Sequence, residues 1–336
     1  MPGMTEFTAM SRARFEAEVV PASRPAVMRG LVADWPLVAA GRQGLQALLD
    51  YLAAFDVGAA VDALLARPGG VRAFGYGPGL EGCNFVRDRR PRAALLAQFW
   101  RYSHFAEPPS LAMQSALLSE ALPGLVAMHA MPLLAAAVPA RLWMGNRGTT
   151  PAHFDSSHNL ACVAAGRRRF TLLPPHCAPD LYLGPPDLAP TAAPMTVAHL
   201  HAPDFERFPR LRQALAQAIV AELAPGDAIY IPPLWFHQVE SLDPHLNVLV
   251  NAWWRPAPAP GRVDDAQQAA LRLCMLAFRH LPDGEREGWR ALLDHYAFGA
   301  RPETLGHLPP ARRGLLGDID AAQDAAYRAD IIERLK

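Results

Sequence analysis

The chain has 336 residues with 32 basic and 32 acidic side chains, so its formal net charge at neutral pH is zero. Balanced charge excludes a long-range field that would draw the whole protein to nucleic acid or to an anionic membrane, although a local basic patch is compatible with it. The cysteines form no CxxC pair, which excludes a typical zinc site or disulfide framework; they are Cys83, Cys162, Cys177 and Cys274.

Length and residue usage also predict the class of protein. The chain is long enough for one large core with an appended domain. Free cysteines suit a reducing compartment, and the first residues contain no apolar signal-peptide core, so we expect a cytoplasmic protein. The most apolar tract, residues 122–144, contains three prolines and favours buried helix and turn over a membrane span.

The sequence of the N-terminal third predicts helices and strands whose apolar residues pack into the core. Residues 5–35 favour a short helix followed by a strand over PAVMRGLV. Apolar residues between Gly44 and Leu65 recur with a period near 3.6, which predicts an amphipathic helix, and residues 93–105 predict another. In the strand that follows, Gln114 is a candidate for a pocket wall, but an ordinary polar residue at a strand end would look the same.

The triplet His153-Phe154-Asp155 places an imidazole and a carboxylate two residues apart. On an extended strand alternate side chains share a face, so both groups project to the same side. Such a pair can occupy two neighbouring corners of an octahedron, and one more histidine completes the 2-His-1-carboxylate set of non-haem Fe(II) oxygenases. An isolated H-x-D also occurs by chance, so the prediction depends on a third ligand.

That third ligand is predicted at His237, in the segment APGDAIYIPPLWFHQVESL. A Pro-Gly-Asp turn begins this segment, and a β-rich run continues to the histidine. His153, Asp155 and His237 are therefore predicted to hold Fe(II) and to form the catalytic centre, with three coordination positions open to other ligands.

The segments around these ligands resemble the JmjC-type cupin oxygenases, in particular the asparaginyl-hydroxylase subgroup that includes the factor inhibiting HIF. They follow in the family's order and spacing, and they read TPAHFD, Asn159, GRRRFTLLPP, PDFERFP, PGDAIYIPPLWFHQVESL and VNAWW. With the weaker opening segment RPAVMRGLVADWP, the resemblance covers residues 24–254. It implies a mainly β fold with flanking helices, the double-stranded β-helix of the cupin or jelly-roll type, and a reaction that consumes 2-oxoglutarate and O2.

The resemblance also implies residues that bind the cosubstrate. Thr150 matches a hydroxyl that contacts a 2-oxoglutarate carboxylate, and Asn159 and Asn251 match asparagines near the metal. Strand parity places Asn159 on the face of His153, although a turn-forming asparagine remains the alternative. The implied products are succinate, CO2 and a hydroxylated substrate. Hydroxylation is favoured over demethylation because no feature identifies an N-methyl substrate.

Arg168 stands where the family has a lysine for the distal carboxylate of 2-oxoglutarate. On an extended strand it shares a face with Phe170 and Leu172, and a buried cation there needs an anionic partner. 2-Oxoglutarate is predicted to be that partner. A guanidinium is larger than an ammonium, and Ser110 occupies the place of a family tyrosine, so loss of cosubstrate binding is the alternative.

The proline-rich residues 174–206 predict a long loop between two strands of the barrel, of the kind that forms a lid or rim. His199 and His201 lie in or beside this loop. No carboxylate of matching parity accompanies them, which favours ordinary surface histidines over a second metal pair. The parity of His158 is opposite to that of His153, so His158 is expected to face away from the site.

Beyond residue 260 the alternation stops, and apolar residues recur at helical spacing. We therefore divide the chain into a JmjC/cupin-like domain with N-terminal helical elements, residues 1–260, and a C-terminal helical region, residues 261–336. These helices resemble the appended helices with which relatives dimerise. A homodimer is thus one expectation, and a helical cap on one barrel is the other.

The function predicted from the sequence is that of an Fe(II)- and 2-oxoglutarate-dependent dioxygenase that hydroxylates a protein side chain, an amino acid or a small molecule. A non-catalytic cupin that binds a metal or ligand is a second hypothesis, because of Arg168 and Ser110. A hydroxylase acting on RNA or a ribosomal protein is a third, which the neutral charge does not support. Neither a nucleic acid nor a membrane is an expected partner.

Overall fold

The computed structural model describes residues 3–68, 73–190, 193–255, 266–299 and 302–336. The chain divides into two compact units, Met1–Trp254 and Arg255–Lys336. The predicted domain boundary at residues 260 and 261 lies outside the described residues. Within the described ranges, no helix combines the length and the apolar character that a membrane span requires.

All strands of the described residues belong to the first unit. They are β1 (Thr5–Phe7), β2 (Ala26–Met28), β3 (Ala60–Ala66), β4 (Val86–Pro91), β5 (Ser110–Leu117), β6 (Ala140–Gly145), β7 (Thr149–His153), β8 (His158–Ala165), β9 (Arg168–Leu173), β10 (Ile219–Leu223), β11 (Ala228–Ile231), β12 (Phe236–Ser241) and β13 (Asn247–Trp254). A large sheet has the order β1-β2-β11-β8-β13-β6-β5-β3-β4, and a small sheet has the order β10-β9-β12-β7.

Helices occur in both units. They are α1 (Arg12–Arg14), α2 (Val20–Ala22), α3 (Pro36–Gln43), α4 (Leu45–Ala53), α5 (Arg92–Tyr102), α6 (Leu118–Ala121), α7 (Leu211–Ala216), α8 (Ala266–Phe278), α9 (Asp283–Leu293) and α10 (Ala321–Arg334). π-helical turns lie at Phe15–Val19 and Asp294–Phe298, and short 3-10 turns include Pro123–Leu125, Ala127–His129 and Pro175–Asp180.

Strand β8 shows how the sequence builds the two-layered core. Its run HNLACVAA is apolar nearly throughout, as expected of a strand that is buried on both faces. Leu160, Cys162 and Ala164 pack with the N-terminal helices, whereas Ala161 and Val163 pack between the two sheets. The two facing sheets with helices outside form a double-stranded β-helix, so the predicted fold class is confirmed.

The helix predicted between Gly44 and Leu65 is wrong in its second half. Helix α4 ends at Ala53, and residues 60–66 form strand β3 between β4 and β5. Asp56 and Gly58 separate the two elements: an Asp56 carboxylate oxygen accepts from the N–H of Gly58, whose φ is +75°. Short apolar runs carry little period information, so the sequence pattern alone does not distinguish this strand from a continued helix.

The predicted loop of residues 174–206 packs on the outer face of the small sheet. Apart from one 3-10 segment at Pro175–Asp180 it has little regular structure. Leu181 and Leu200 are buried in a cluster with Leu173 of β9 and Phe236 of β12. The loop is therefore held by its own apolar side chains and covers the outside of the strands that carry the candidate ligands.

Candidate metal centre

Two neighbouring strands of the small sheet bring the predicted ligands together. His237 of β12 lies directly opposite His153 of β7 in an antiparallel ladder, and Asp155 follows β7 by two residues. The backbone N–H of Leu234 donates to the carbonyl of Asp155 at 2.7 Å, which ties the turn before β12 to the segment after β7. Leu234 has a φ of +67°, a strained conformation for leucine that such sites often contain.

The side chains of His153, Asp155 and His237 converge closely. One potential ligand atom from each lies within 4.8 Å of the other two. Nε2 of His237 is 3.6 Å from Oδ2 of Asp155, and the two imidazole centroids are 4.4 Å apart. Two imidazoles and one carboxylate at this separation suit a divalent transition metal such as Fe(II).

Both imidazoles are oriented by backbone carbonyls. Nδ1 of His153 is 2.9 Å from the carbonyl oxygen of Pro151, and Nδ1 of His237 is 3.1 Å from that of Trp235. A carbonyl only accepts, so each Nδ1 carries the proton and each Nε2 keeps its lone pair for a metal. Burial, and secondly the neighbouring His153, lower the pKa of His237 well below its usual range, which favours the neutral form that a metal needs.

A chain of hydrogen bonds supports the carboxylate of Asp155. Nε1 of Trp253 donates to Oδ2 of Asp155 at 3.0 Å, and Nδ2 of Asn159 lies at 3.5 Å from the same oxygen. Nδ2 of Asn251 donates to Oδ1 of Asn159 at 3.0 Å, and Nε1 of Trp143 donates to Oδ1 of Asn251 at 2.7 Å. Asp155 is thus oriented by donors from β8 and β13.

A small cavity of about 50 Å³ lies beside the inner faces of these strands. Arg168, Thr150 and Gln114 line it together with Trp143 and Val239. The cavity has room for the carboxylate end of a ligand and presents a guanidinium, a hydroxyl and an amide to it.

Arg168 is buried in this cavity, and no residue that the structure describes provides a counter-ion. Its Nη2 makes only a long contact of 3.5 Å with the carbonyl of Asn247, and its Nε has no hydrogen-bond partner. Within the described residues no carboxylate lies within 4 Å of it, and burial lowers its pKa to about 10. A buried, incompletely bonded cation is costly, so the site fits an anionic ligand such as the distal carboxylate of 2-oxoglutarate.

The core of the chain matches a known family. Residues 12–259 match the model of the Cupin-like domain. The chain belongs to this cupin-like family. Curated relatives match the chain as well.

The relatives of this cupin-like chain carry JmjC-related and other names. The Arabidopsis thaliana "Lysine-specific demethylase JMJ31" is 28% identical over 74% of the chain and 49% of that protein. The human "HSPB1-associated protein 1" is 38% identical over 33% of the chain and 22% of that protein. The Drosophila melanogaster "Jumonji C domain-containing protein 5" is 34% identical over 35% and 28%. The chain thus spans about half or less of these relatives, and the JmjC-type resemblance is confirmed.

The cupin-like core brings all seven predicted site residues to two adjoining places. His153, Asp155 and His237 form the triad, and Asn159 and Asn251 stand behind its carboxylate rather than inside the Arg168 cavity. Arg168 and Thr150 line the cavity. Ser110 is not among the residues that line the cavity; it is buried, and its hydroxyl donates to the carbonyl of Arg147 at 3.3 Å.

The sequence did not reveal the role of Trp253. Trp253 shares a face of β13 with Asn251, but alternation along one strand does not show that its indole N–H reaches Asp155. His158 faces away from the triad, as its parity predicts, and bonds the hydroxyl of Tyr230 at 2.8 Å. His201 bonds Gln238 and lies 2.6 Å from Glu240 on the outer face of the small sheet.

Proposed function

We propose that this cupin-like protein is an Fe(II)- and 2-oxoglutarate-dependent dioxygenase that hydroxylates a C–H bond of a protein side chain, an amino acid or a small molecule. The observation that carries the proposal is the pairing of two features in one barrel. A His-His-Asp triad converges within 4.8 Å, and the buried cation Arg168 lacks a carboxylate partner in the described part of the chain. One feature suits the metal, and the other suits the cosubstrate.

His153, Asp155 and His237 would hold the metal in this proposal. Fe(II) bound there would supply the redox chemistry that couples the oxidation of 2-oxoglutarate by O2, to succinate and CO2, to the oxidation of a substrate C–H bond. The protein's own groups bind and orient. The carbonyls of Pro151 and Trp235 fix the imidazoles, and the indole of Trp253 fixes the carboxylate.

Arg168 and Thr150 would secure the far end of the cosubstrate. A guanidinium grips a carboxylate with two parallel hydrogen bonds, and the low-polarity surroundings of Arg168 strengthen them. Phe74, Trp143 and Val239 line the same cavity and exclude water from the bound carboxylate. Binding here would therefore also provide a counter-ion to a cation that has none among the described residues.

Isothermal titration of anaerobic, Fe(II)-loaded protein with 2-oxoglutarate tests this arrangement. Wild type should bind, and Arg168→Gln should lose binding while it retains iron. If wild type binds iron but not 2-oxoglutarate, the non-catalytic cupin replaces the oxygenase. The same assay with succinate as the ligand controls for nonspecific attraction to carboxylates.

Demethylation is a second candidate because one relative that matches 74% of the chain is named a lysine demethylase. Hydroxylation of an N-methyl carbon would release formaldehyde, whereas hydroxylation at a stable carbon would not. Formaldehyde release during turnover on a candidate substrate therefore distinguishes the two reactions.

We also propose that the protein is a homodimer formed through its C-terminal helices. Helices α8, α9 and α10 have no buried residue in the described chain. Their large apolar side chains, among them Leu276 and Ile332, are exposed to solvent by 64% and 61%. A second copy would cover such surfaces.

A further inference from the structure

A second, larger cleft shares a wall with the Arg168 cavity. Its volume is about 750 Å³, within the range of ligand-binding sites. The wall consists of residues 73–75 and 149–151, which are joined by a parallel bridge between Ala73 and Thr149. Phe74 and Thr150 line the cavity, whereas Gly75 and Pro151 line the cleft. The cleft therefore lies against β7, the strand that ends at His153.

The described lining of this cleft is cationic. Arg67 and Arg207 contribute the positive charge, His199 also lines the cleft, and this described lining contains neither aspartate nor glutamate. In the described part of the chain neither guanidinium forms a salt bridge, unlike that of Arg87, which pairs with Asp62 at 2.5 Å. The carboxylate of Asp204 accepts instead from the backbone N–H of Arg207 at 3.0 Å. The protein as a whole has no net charge, so this concentration of cations is local.

Acidic residues lie nearby without lining the cleft, among them Glu81, Asp187, Asp204 and Glu206. Asp187 is close enough to the cleft wall to act on Tyr76: burial is the main cause of the raised pKa of Tyr76, and the negative charge of Asp187 raises that pKa further. Asp187 does not line the cleft itself. It therefore reduces the local positive potential without offering a partner to Arg67 or Arg207.

Most of the remaining lining is apolar and suits a polypeptide. Leu65, Leu80 and Val197 line the cleft, and Val86 at its edge is 63% exposed. Val86 begins β4, the last strand of the large sheet, so the cleft opens beside an extended sheet edge. Apolar pockets beside such an edge are a common way to recognise extended peptides.

The aromatic residues of the cleft do not favour nucleic acid. Phe85 packs edge-on against Phe74, with ring centroids 5.8 Å apart. Tyr76 lies close to Gly184 and donates to the carbonyl of Pro185 at 3.4 Å. Single-stranded nucleic acids are usually bound by aromatic rings whose faces are free for stacking. An acidic polypeptide fits the cleft better.

We propose that this cleft binds an acidic, partly apolar polypeptide segment, and that the substrate of the enzyme is a protein with such a segment. The claim that the bound protein is a substrate rests on the proposed oxygenase function. The binding preference of the cleft stands without it.

The test compares short rhodamine-labelled peptides in which glutamate alternates with leucine, with glutamine or lysine replacing glutamate in the matched probes. Fluorescence anisotropy with the full chain should show the glutamate peptide binding more tightly than the glutamine peptide, and the lysine peptide most weakly. In Arg67→Gln/Arg207→Gln the glutamate peptide should bind roughly fivefold more weakly, since each exposed ion pair contributes modestly. The loss should shrink as salt is added.

The control is Arg24→Gln/Arg42→Gln, which removes the same charge outside the cleft and should leave the preference unchanged. Equal binding of the glutamate and lysine peptides overturns the proposal, and so does an unchanged preference in Arg67→Gln/Arg207→Gln. Tighter binding of a single-stranded RNA oligomer, lost in the same variant, would replace it with a nucleic-acid site.

Succinate formation in the absence of substrate separates this inference from the proposed function. Arg67→Gln/Arg207→Gln should retain that reaction, because neither arginine lines the Arg168 cavity. Normal succinate formation without a preference for the glutamate peptide refutes the cleft proposal alone. A preference for the glutamate peptide without any succinate formation refutes the oxygenase and leaves a protein that binds acidic segments.

Discussion

The carboxylate of Asp155 owes its orientation to a tryptophan. Nε1 of Trp253 donates to Oδ2 at 3.0 Å, whereas the amide of Asn159 is farther, at 3.5 Å. Loss of an outer partner usually weakens metal binding by about 10- to 100-fold, because the ligand must then be ordered by the metal itself. The Trp253 indole is therefore a positioning group for the metal.

Trp253→Phe should bind Fe(II) about 10-fold or more weakly than wild type, measured by anaerobic titration against a competing chelator. Phenylalanine keeps the ring contact with Trp143 and removes only the N–H donor. Trp100→Phe, which changes an exposed tryptophan on α5, is the matched control. An unchanged affinity in Trp253→Phe would show that Asp155 does not depend on this hydrogen bond.

The side chain of Arg168 is expected to destabilise the folded protein while it provides the group that binds the cosubstrate. Its guanidinium is buried, and its Nε has no hydrogen-bond partner among the residues that the structure describes. Burial of a charge without a partner destabilises the folded state, and replacement by an apolar side chain of similar length is often stabilising. The cost is offset only when an anion binds.

Arg168→Met should raise the free energy of unfolding of the ligand-free protein by about 1 kcal/mol or more, measured by urea denaturation. The same variant should gain no stability from 2-oxoglutarate, whereas wild type should. Arg167→Met, at an exposed arginine that pairs with Asp243, is the control. A marked destabilisation by Arg168→Met would mean that the arginine is structural.

At the scale of elements, a buried histidine accepts a hydrogen bond from the first turn of helix α3. The N–H of Leu37 donates to Nε2 of His129 at 3.2 Å, and Nδ1 of His129 donates to the carbonyl of Leu125 at 2.9 Å. This pattern requires the neutral imidazole, because the charged form has no acceptor nitrogen. Burial lowers the pKa of His129.

The stability of the protein should therefore fall as the pH drops below about 6.5. In that range the unfolded histidine binds a proton that folded His129 does not, so the free energy of unfolding rises with pH, by at most about 1.4 kcal/mol per pH unit for this group. His129→Gln should reduce the slope of stability against pH between roughly pH 5 and 6.5, measured by urea denaturation. An unchanged slope, matching that of the exposed control His245→Gln, would contradict the assignment.

The sequence predicted which residues share a face better than it predicted what they touch. Strand parity placed Arg168 on the apolar face of β9 and turned His158 away from the triad. Parity gives no register, however, so it could not show that His237 lies opposite His153 or that a bulge follows His237. The donor role of Trp253 and the missing partner of Arg168 depend on strands distant in the sequence, and local pattern does not contain them.

At the scale of the whole molecule, the C-terminal unit exposes many large apolar side chains. Phe298 and Leu276 are 75% and 64% exposed, and helix α8 has no buried residue. Such surfaces usually mark an interface. The sequence predicted the helices themselves, but their periodicity could not say what covers them.

Sedimentation at several protein concentrations should find a dimer of wild type. Leu276→Glu should shift it toward monomer, because a carboxylate is costly to bury in an apolar interface. Val220→Glu, at an apolar residue of β10 with 47% exposure, should leave the dimer intact. A wild-type monomer at every concentration would contradict the dimer proposal.

The most direct test of the account is succinate formation from 2-oxoglutarate by anaerobically Fe(II)-loaded protein on exposure to O2. Wild type should form succinate slowly even without substrate, and both His153→Ala and Arg168→Gln should be inactive, the first without bound iron and the second with it. The exposed variant His245→Ala should behave as wild type. Iron-loaded wild type that forms no succinate and binds no 2-oxoglutarate would contradict the account and leave a cupin that binds metal without this chemistry.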